Sequence, residues 1–277
     1  MLSLIIYNFF WYLNFNLCIL LSHSESANSL LYLDDFGTNL IYFYGSVYGL
    51  IICFLNQKKK TLENLEPPSH DVYSTVFTLI GTGFLCATFA VMNTDIITFF
   101  GIAENYKMSA GPSNIWFSII AGVLGVYLGS LTLNLGNVSI RETTMGVIMG
   151  AIANGTGAGI LQSPGVIIFI AFVAGFLASL IINLIVKRIN RLKFVDNQGF
   201  LLPILIISFL GAILVTPILF RRQEIERRND AALYYSMIGQ PTIEQESAVF
   251  MLAYPFICGA FAAISGIIAG FLLKLTT

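Results

Sequence analysis

The chain has 277 residues, 56% of them apolar and only 10% charged, with a net charge of −1 at neutral pH. A soluble domain carries about a quarter charged residues, so a water-facing surface cannot be covered here and an all-α integral membrane protein is expected. The near-neutral balance excludes nucleic acid as a partner, because phosphate binding rewards a concentrated basic face.

Eight stretches are apolar over roughly the 20 residues that a helix needs to cross the hydrocarbon core. In chain order they are Leu4–Ser22, Phe36–Leu55, Tyr73–Met92, Ile115–Leu133, Thr143–Leu161, Val166–Val186, Phe200–Phe220 and Val249–Leu273. Residues 1–277 therefore read as a single membrane domain. The first stretch is followed by Ser22-His23-Ser24-Glu25 and lacks a basic start, so it reads as a span in preference to a signal-like segment. Pro203, Pro217 and Pro255 do not interrupt their stretches, because membrane helices tolerate proline where neighbours re-satisfy the freed backbone. Cys18, Cys53, Cys86 and Cys258 stand singly in apolar surroundings. They read as small packing residues, with no disulfide, no metal and no cofactor expected.

Orientation follows from the basic residues. One set of loops holds Lys58, Lys59, Lys60, Arg141, Lys187, Arg188, Arg191 and Lys193, together with Lys274 near the end. The opposite set holds Lys107, Arg221, Arg222, Arg227 and Arg228. The first set is the cytoplasmic or matrix face by the positive-inside rule, and the membrane is either the plasma membrane or the mitochondrial inner membrane. Residues 221–247 read as an extramembrane loop that opens with RRQEIERRND. Two readings of it stand side by side: a solvated, self-paired charged loop, or a partner-docking surface built on Arg221, Arg222, Arg227 and Arg228.

Across the eight stretches there is no Asp, Glu, Lys, Arg or His, and both His23 and His70 lie outside them. Ionisable groups inside a bilayer usually mark ion paths or proton relays. Their absence leaves no proton wire, and it removes the base and nucleophile pairs of an intramembrane enzyme. Asp34, Asp95, Glu142 and Asp196 sit at span ends, where water, caps or loops can satisfy them. Glycine supplies the positive signal: Gly125 and Gly129, Gly146 and Gly150, and Gly266 and Gly270 each recur at four residues, on one helix face. The run NGTGAG at 154–159 has no following Lys and lies in a span, so it reads as helix packing, not as a phosphate loop. The sequons at Asn137 and Asn154 fall in a short inside loop and in a span, and neither is expected to carry a glycan.

The order of several further motifs resembles the ammonium transporter/Rhesus glycoprotein (Amt/Rh) family, nearer its Rhesus branch. DDFGTNLIYFYGSVYGL at 34–50, with its spaced Gly45 and Gly49, is similar to the family's fifth helix. LIGTGFL at 79–85 followed by Asn93 resembles the next helix, and Asn114 stands where the family opens the one after. VSIRETTMG at 138–146, which contains Thr144, then Ser163-Pro164, FVAG at 172–175 and DNQG at 196–199 (Asp196 to Gly199) continue the order. The resemblance covers Asp34 to Ile204. It makes 36–205 the family-like helices, leaves 1–35 outside the clear match, and adds a final span at 248–277 by order alone.

What the resemblance implies is a family path lined by two histidines. By this alignment their positions are Tyr42 and Leu201, the phenylalanine-gate position is Met92, and the tryptophan before it is Phe89. A leucine neither donates nor accepts a hydrogen bond, and a tyrosine does not titrate near neutrality. A proton shared between the two positions is excluded. The family has around eleven spans in an inverted repeat, commonly trimeric, with the path at the repeat interface. About eight spans resembling the second half imply one wall of that path, and a neighbour to cover it. The expected function is therefore a non-enzymatic structural or accessory subunit, a degenerate pseudo-transporter. Its expected partners are membrane lipids and other membrane subunits, with a hetero-complex favoured over a homo-oligomer. The alternative is a transporter of ammonia or another small neutral solute, completed by another chain.

Overall fold

A computed structural model of the chain describes residues 2–22, 37–56, 72–99, 105–133, 140–158, 163–186, 200–228 and 245–276. Each of the eight predicted stretches is helical: α1 (Leu2–Ser22), α2 (Tyr44–Leu55, entered through a π-helical turn at Thr38–Phe43), α3 (Val72–Phe99) and α4 (Asn105–Leu133), then α5 (Ile140–Gly155), α6 (Pro164–Leu180, prolonged by a π-helical turn at Ile181–Val186), α7 (Leu201–Arg228) and α8 (Gln245–Thr276). No strand occurs among the described residues. Thr38–Leu55, Gly111–Leu133, Pro164–Ile185 and Ala253–Leu275 are long and apolar enough to cross a membrane, and Thr75–Phe89 and Leu201–Leu214 are shorter apolar helices. The chain is a multi-pass integral membrane protein.

Two elements differ from expectation. Helix α5 stops at Gly155 and not at Leu161, because the chain turns there and the Gly157 N–H bonds the Asn154 carbonyl at 3.1 Å. With nearly every residue buried between neighbours, α5 need not match the thickness of the lipid. Helix α7 runs on through Arg228, so the charged segment at 221–228 is helical and not a loop. Arg, Gln and Glu are good helix formers, and they prolong the helix out of its apolar stretch.

The tightest packing joins α4, α5 and α6. A Cβ on Gly150 would lie 3.0 Å from the Gly122 Cα, and one on Gly175 would overlap the Gly122 carbonyl. Three backbones meet at this point because no side chain stands between them, the small-residue contact that substitutes for a hydrophobic driving force in lipid. The predicted glycine pairs also face neighbouring helices: Gly125 and Gly129 meet α6, Gly146 and Gly150 meet α4, Gly266 and Gly270 meet α2. Around the α4–α6 contact lie Val126, Met145, Met149, Ala174 and Ile207. A second cluster joins α1, α2 and α8 through Phe43, Tyr44, Tyr254 and Cys258. Helix α7 sits between the two, giving Ile207 to the first and Leu205 and Phe209 to the second.

Candidate functional site

Gly37 adopts the left-handed region (φ 70°), and the chain then winds through the π-helical turn. The Ile41 N–H bonds the Gly37 carbonyl at 2.8 Å, and the Tyr42 N–H reaches the same oxygen from five residues on at 3.4 Å. Such turns insert a residue into a helix and recur at functional positions. The Thr38 hydroxyl donates to the Ile152 carbonyl at 3.1 Å, which fixes the turn against α5.

This wound segment presents Tyr42, half-buried, to α3. Its ring meets Phe89 edge-on, with centroids 6.2 Å apart and planes at 88°. Phe89 is buried in a cluster with Ile115, Ile119, Val147 and Ile152, against which Tyr42 and Ile204 also pack. The α7 residue that shares this cluster with Tyr42 is thus Ile204. Leu201, one turn earlier, instead lies against Gly49, its Cδ1 3.2 Å from where a Cβ on that glycine would be. Among the described residues there is no histidine, because His23 and His70 both fall outside them.

The other motif residues serve neighbouring joints. Gly45 faces the Tyr7 hydroxyl. Asn114 donates to the Ala158 carbonyl at 2.7 Å and so holds the turn that ends α5. The Thr144 hydroxyl pairs with that of Thr82 at 2.7 Å, linking α5 to α3. Asp34, Asp196 and Gly199 lie outside the described residues. Met92 and Asn93 fall on α3, and Arg221, Arg222, Arg227 and Arg228 on α7, with only their backbone described.

Polar joints inside the apolar stretches are what motif reading missed. Asn154, fully buried, donates to the Ser118 hydroxyl and to the Ile167 carbonyl, both at 2.9 Å. Glu142, read as a span-end group satisfied by water, caps or loops, is buried and accepts from Asn183 at 3.2 Å. Asn183 in turn donates to the Ser179 carbonyl at 3.1 Å. Asn14 donates to the Cys258 sulfur at 3.2 Å, and the Cys258 thiol to the Asn39 carbonyl at 3.1 Å. The signal that could have found them is a lone asparagine in an apolar run, which must be satisfied by a neighbouring helix.

The comparison that decides the lineage is a match of residues 1–277 to the model of the Ammonium Transporter Family. The chain belongs to the ammonium transporter family. Among curated relatives it is 26% identical over 253 residues to the ammonium transporter Rh type B of Xenopus tropicalis, covering 87% of this chain and 52% of that protein. It is 24% identical over 192 residues to the ammonium transporter Rh type C of Xenopus laevis, covering 67% and 40% respectively. The chain thus spans about half the length of the curated relatives it matches. A solved structure of Nitrosomonas europaea Rh50, described with the conduction mechanism of the Rhesus protein family of channels, superposes with a TM-score of 0.73 at 20% identity. That superposition covers 98% of this chain and 61% of the other. Within this ammonium transporter-family fold, Tyr42 and Ile204 pack against one apolar cluster to which α3 contributes Phe89.

Proposed function

We propose that this chain is a non-enzymatic, pseudo-transporter member of the ammonium transporter family, serving as a structural or accessory subunit of a membrane assembly. One observation carries the reading: Tyr42 packs by ring and aliphatic contact against a cluster of Phe89, Ile115 and Ile152, and none of the eight apolar stretches carries a histidine or an acid. Deprotonating ammonium and returning the proton beyond the barrier needs a group that titrates near neutrality, and a phenol does not. The second reading is passage of neutral ammonia or a similar small uncharged solute along the same wall, and family membership is what favours it.

Liposomes carrying the purified full chain and an internal pH dye separate the two. After a jump in external ammonium, alkalinisation should match that of protein-free liposomes, and Tyr42→His together with Leu201→His, or with Ile204→His, should leave it unchanged. Alkalinisation severalfold faster with the wild-type chain would overturn the structural-subunit reading in favour of neutral conduction. Native sizing of mildly extracted material adds a check of its own. The structural reading expects co-purification with other membrane subunits, whereas an assembly of this chain alone would count against it.

A further inference from the structure

Helix α1 turns one face away from the bundle, and its packing on the other face sets how deep it lies in the membrane. The Tyr7 ring meets the Tyr44 ring of α2 with centroids 5.4 Å apart, and the Tyr44 hydroxyl donates to Ser265 at 3.0 Å. Ser265 stands at the middle of the apolar span Ala253–Leu275. Tyr7 therefore lies at mid-depth. Asn8 is next in the chain, about 1.5 Å along the helix axis, and Tyr12 follows one turn later. Asn8 is exposed on the outward face, with Leu4, Ile5, Phe9 and Tyr12 exposed around it.

An outward amide at this depth sits where no water reaches, because the hydrocarbon core is ~30 Å thick. Acyl chains offer it neither donor nor acceptor, and a polar group left unbonded there is costly. The amide separates this face from the other outward ones. On α3 within Thr75–Phe89, and on α6 within Pro164–Ile185, every exposed residue is apolar or glycine. Whatever covers Asn8 must bring a hydrogen-bonding group to the same depth.

A second copy of the chain does so by symmetry. Two copies inserted the same way up and related by a two-fold axis along the membrane normal set each α1 residue opposite its own equivalent. An amide carries both donors and an acceptor, so the two Asn8 side chains satisfy each other. Leu4, Ile5 and Phe9 then surround the pair and exclude lipid from it. The outward polar rings of α4 fit less well. Trp116 and Tyr127 stand six and five residues from the middle of Gly111–Leu133, about 9 and 7.5 Å from mid-depth at 1.5 Å per residue. We infer that the outer face of α1 is a self-association surface, on which two copies of the chain pair through Asn8 with Tyr12 beside it. Such a pair can stand within a larger assembly and does not rest on the structural-subunit reading.

Copies of the full chain carrying donor or acceptor dyes at a C-terminal tag, reconstituted together in liposomes, test the face by energy transfer as added lipid dilutes the protein. Wild type should pair, and Asn8→Leu should separate at about fivefold less lipid, the scale of an interhelical amide contact in a bilayer. Asn8→Gln, which keeps the amide, should stay within about twofold of wild type, and Tyr127→Phe should change nothing. Tyr12→Cys copies, with Asn8 in place, should join to each other at that position on mild oxidation, because the two-fold brings equal positions together. Gly81→Cys copies, altered on the open side of α3, should not join. Wild type that stays monomeric at every dilution would overturn the pairing without touching the structural-subunit reading, since Asn8 would then await another subunit's helix. Equal association of Asn8→Leu and wild type would overturn it as well. A loss in Tyr127→Phe would replace the two-fold pair by a head-to-tail contact with α4.

Discussion

Asn154 shows how much of this protein rests on single polar atoms in an apolar setting. Its amide donates to a hydroxyl on α4 and to a carbonyl on α6, and both acceptors face the interior. The Ser118 hydroxyl spends its own proton on the Asn114 carbonyl at 2.8 Å, so at this junction the asparagine must be the donor. Asn154→Ala removes both donations, to a hydroxyl and to a helix carbonyl that keeps its intrahelical bond, at about 0.5–1.5 kcal/mol for each bond lost. Asn154→Asp is worse despite matching the shape, because it sets carboxylate oxygens against an acceptor and buries a charge. Thermal unfolding in detergent should rank wild type above Asn154→Ala above Asn154→Asp, and an aspartate variant as stable as wild type would refute the donor assignment. A parallel case is Asn183, which feeds the buried Glu142 carboxyl. Asn183→Ala should lower the midpoint, and Asn183→Gln should not restore it fully, because the longer side chain cannot keep the 3.1 Å bond to Ser179 in the same rotamer. Full recovery in the glutamine variant would show that the amide matters without its placement.

Among the elements, the glycine spacing made the α4–α5–α6 contact legible before any coordinates. A four-residue repeat puts two glycines on one face, and a face without side chains is where another backbone can come close. Gly150→Ala forces a methyl into Ser118 and Gly122, overpacking that costs roughly 1–3 kcal/mol. At about 2–4 °C per kcal/mol for a chain of this size, the unfolding midpoint should fall by roughly 2–12 °C. Gly81→Ala, which adds a methyl in open space, should move it hardly at all. Equal effects at the two positions would refute the close-contact account. The π-helical turn at Thr38–Phe43 was not legible, because no residue type demands an extra residue per turn. It depends on Gly37 in its left-handed conformation and on Thr38 bonding α5, a contact 114 residues away in sequence. The same tertiary dependence sets what Tyr42 meets: Ile204 of α7 packs against its cluster, a contact that counting along a motif does not reveal.

At the scale of the molecule, hydropathy sufficed for the order of the helices among the described residues, because lipid leaves backbone groups no partners except within a helix. It did not reveal which faces meet lipid, since lipid and a neighbouring helix reward the same side chains. Helix α3 shows the ambiguity most plainly. Tyr73, Phe77, Ile80 and Phe84 recur at helical spacing and are each more than 60% exposed, on a helix whose inner face reaches Thr144 and the Tyr42 cluster. An apolar stripe of this kind is covered in a native membrane either by acyl chains or by another polypeptide. Lipid is the expected cover, because the stripe is built of bulky side chains, whereas close helix contacts in a membrane are made by small ones. Phe77→Trp reports on this directly in vesicles of brominated-chain phosphatidylcholine. The added emission, taken as the difference from the parent chain, should be quenched as strongly as that of Phe271→Trp on the exposed face of α8. Quenching at position 271 without quenching at 77 would mean that protein covers α3, and the stripe would then be the surface to map by crosslinking.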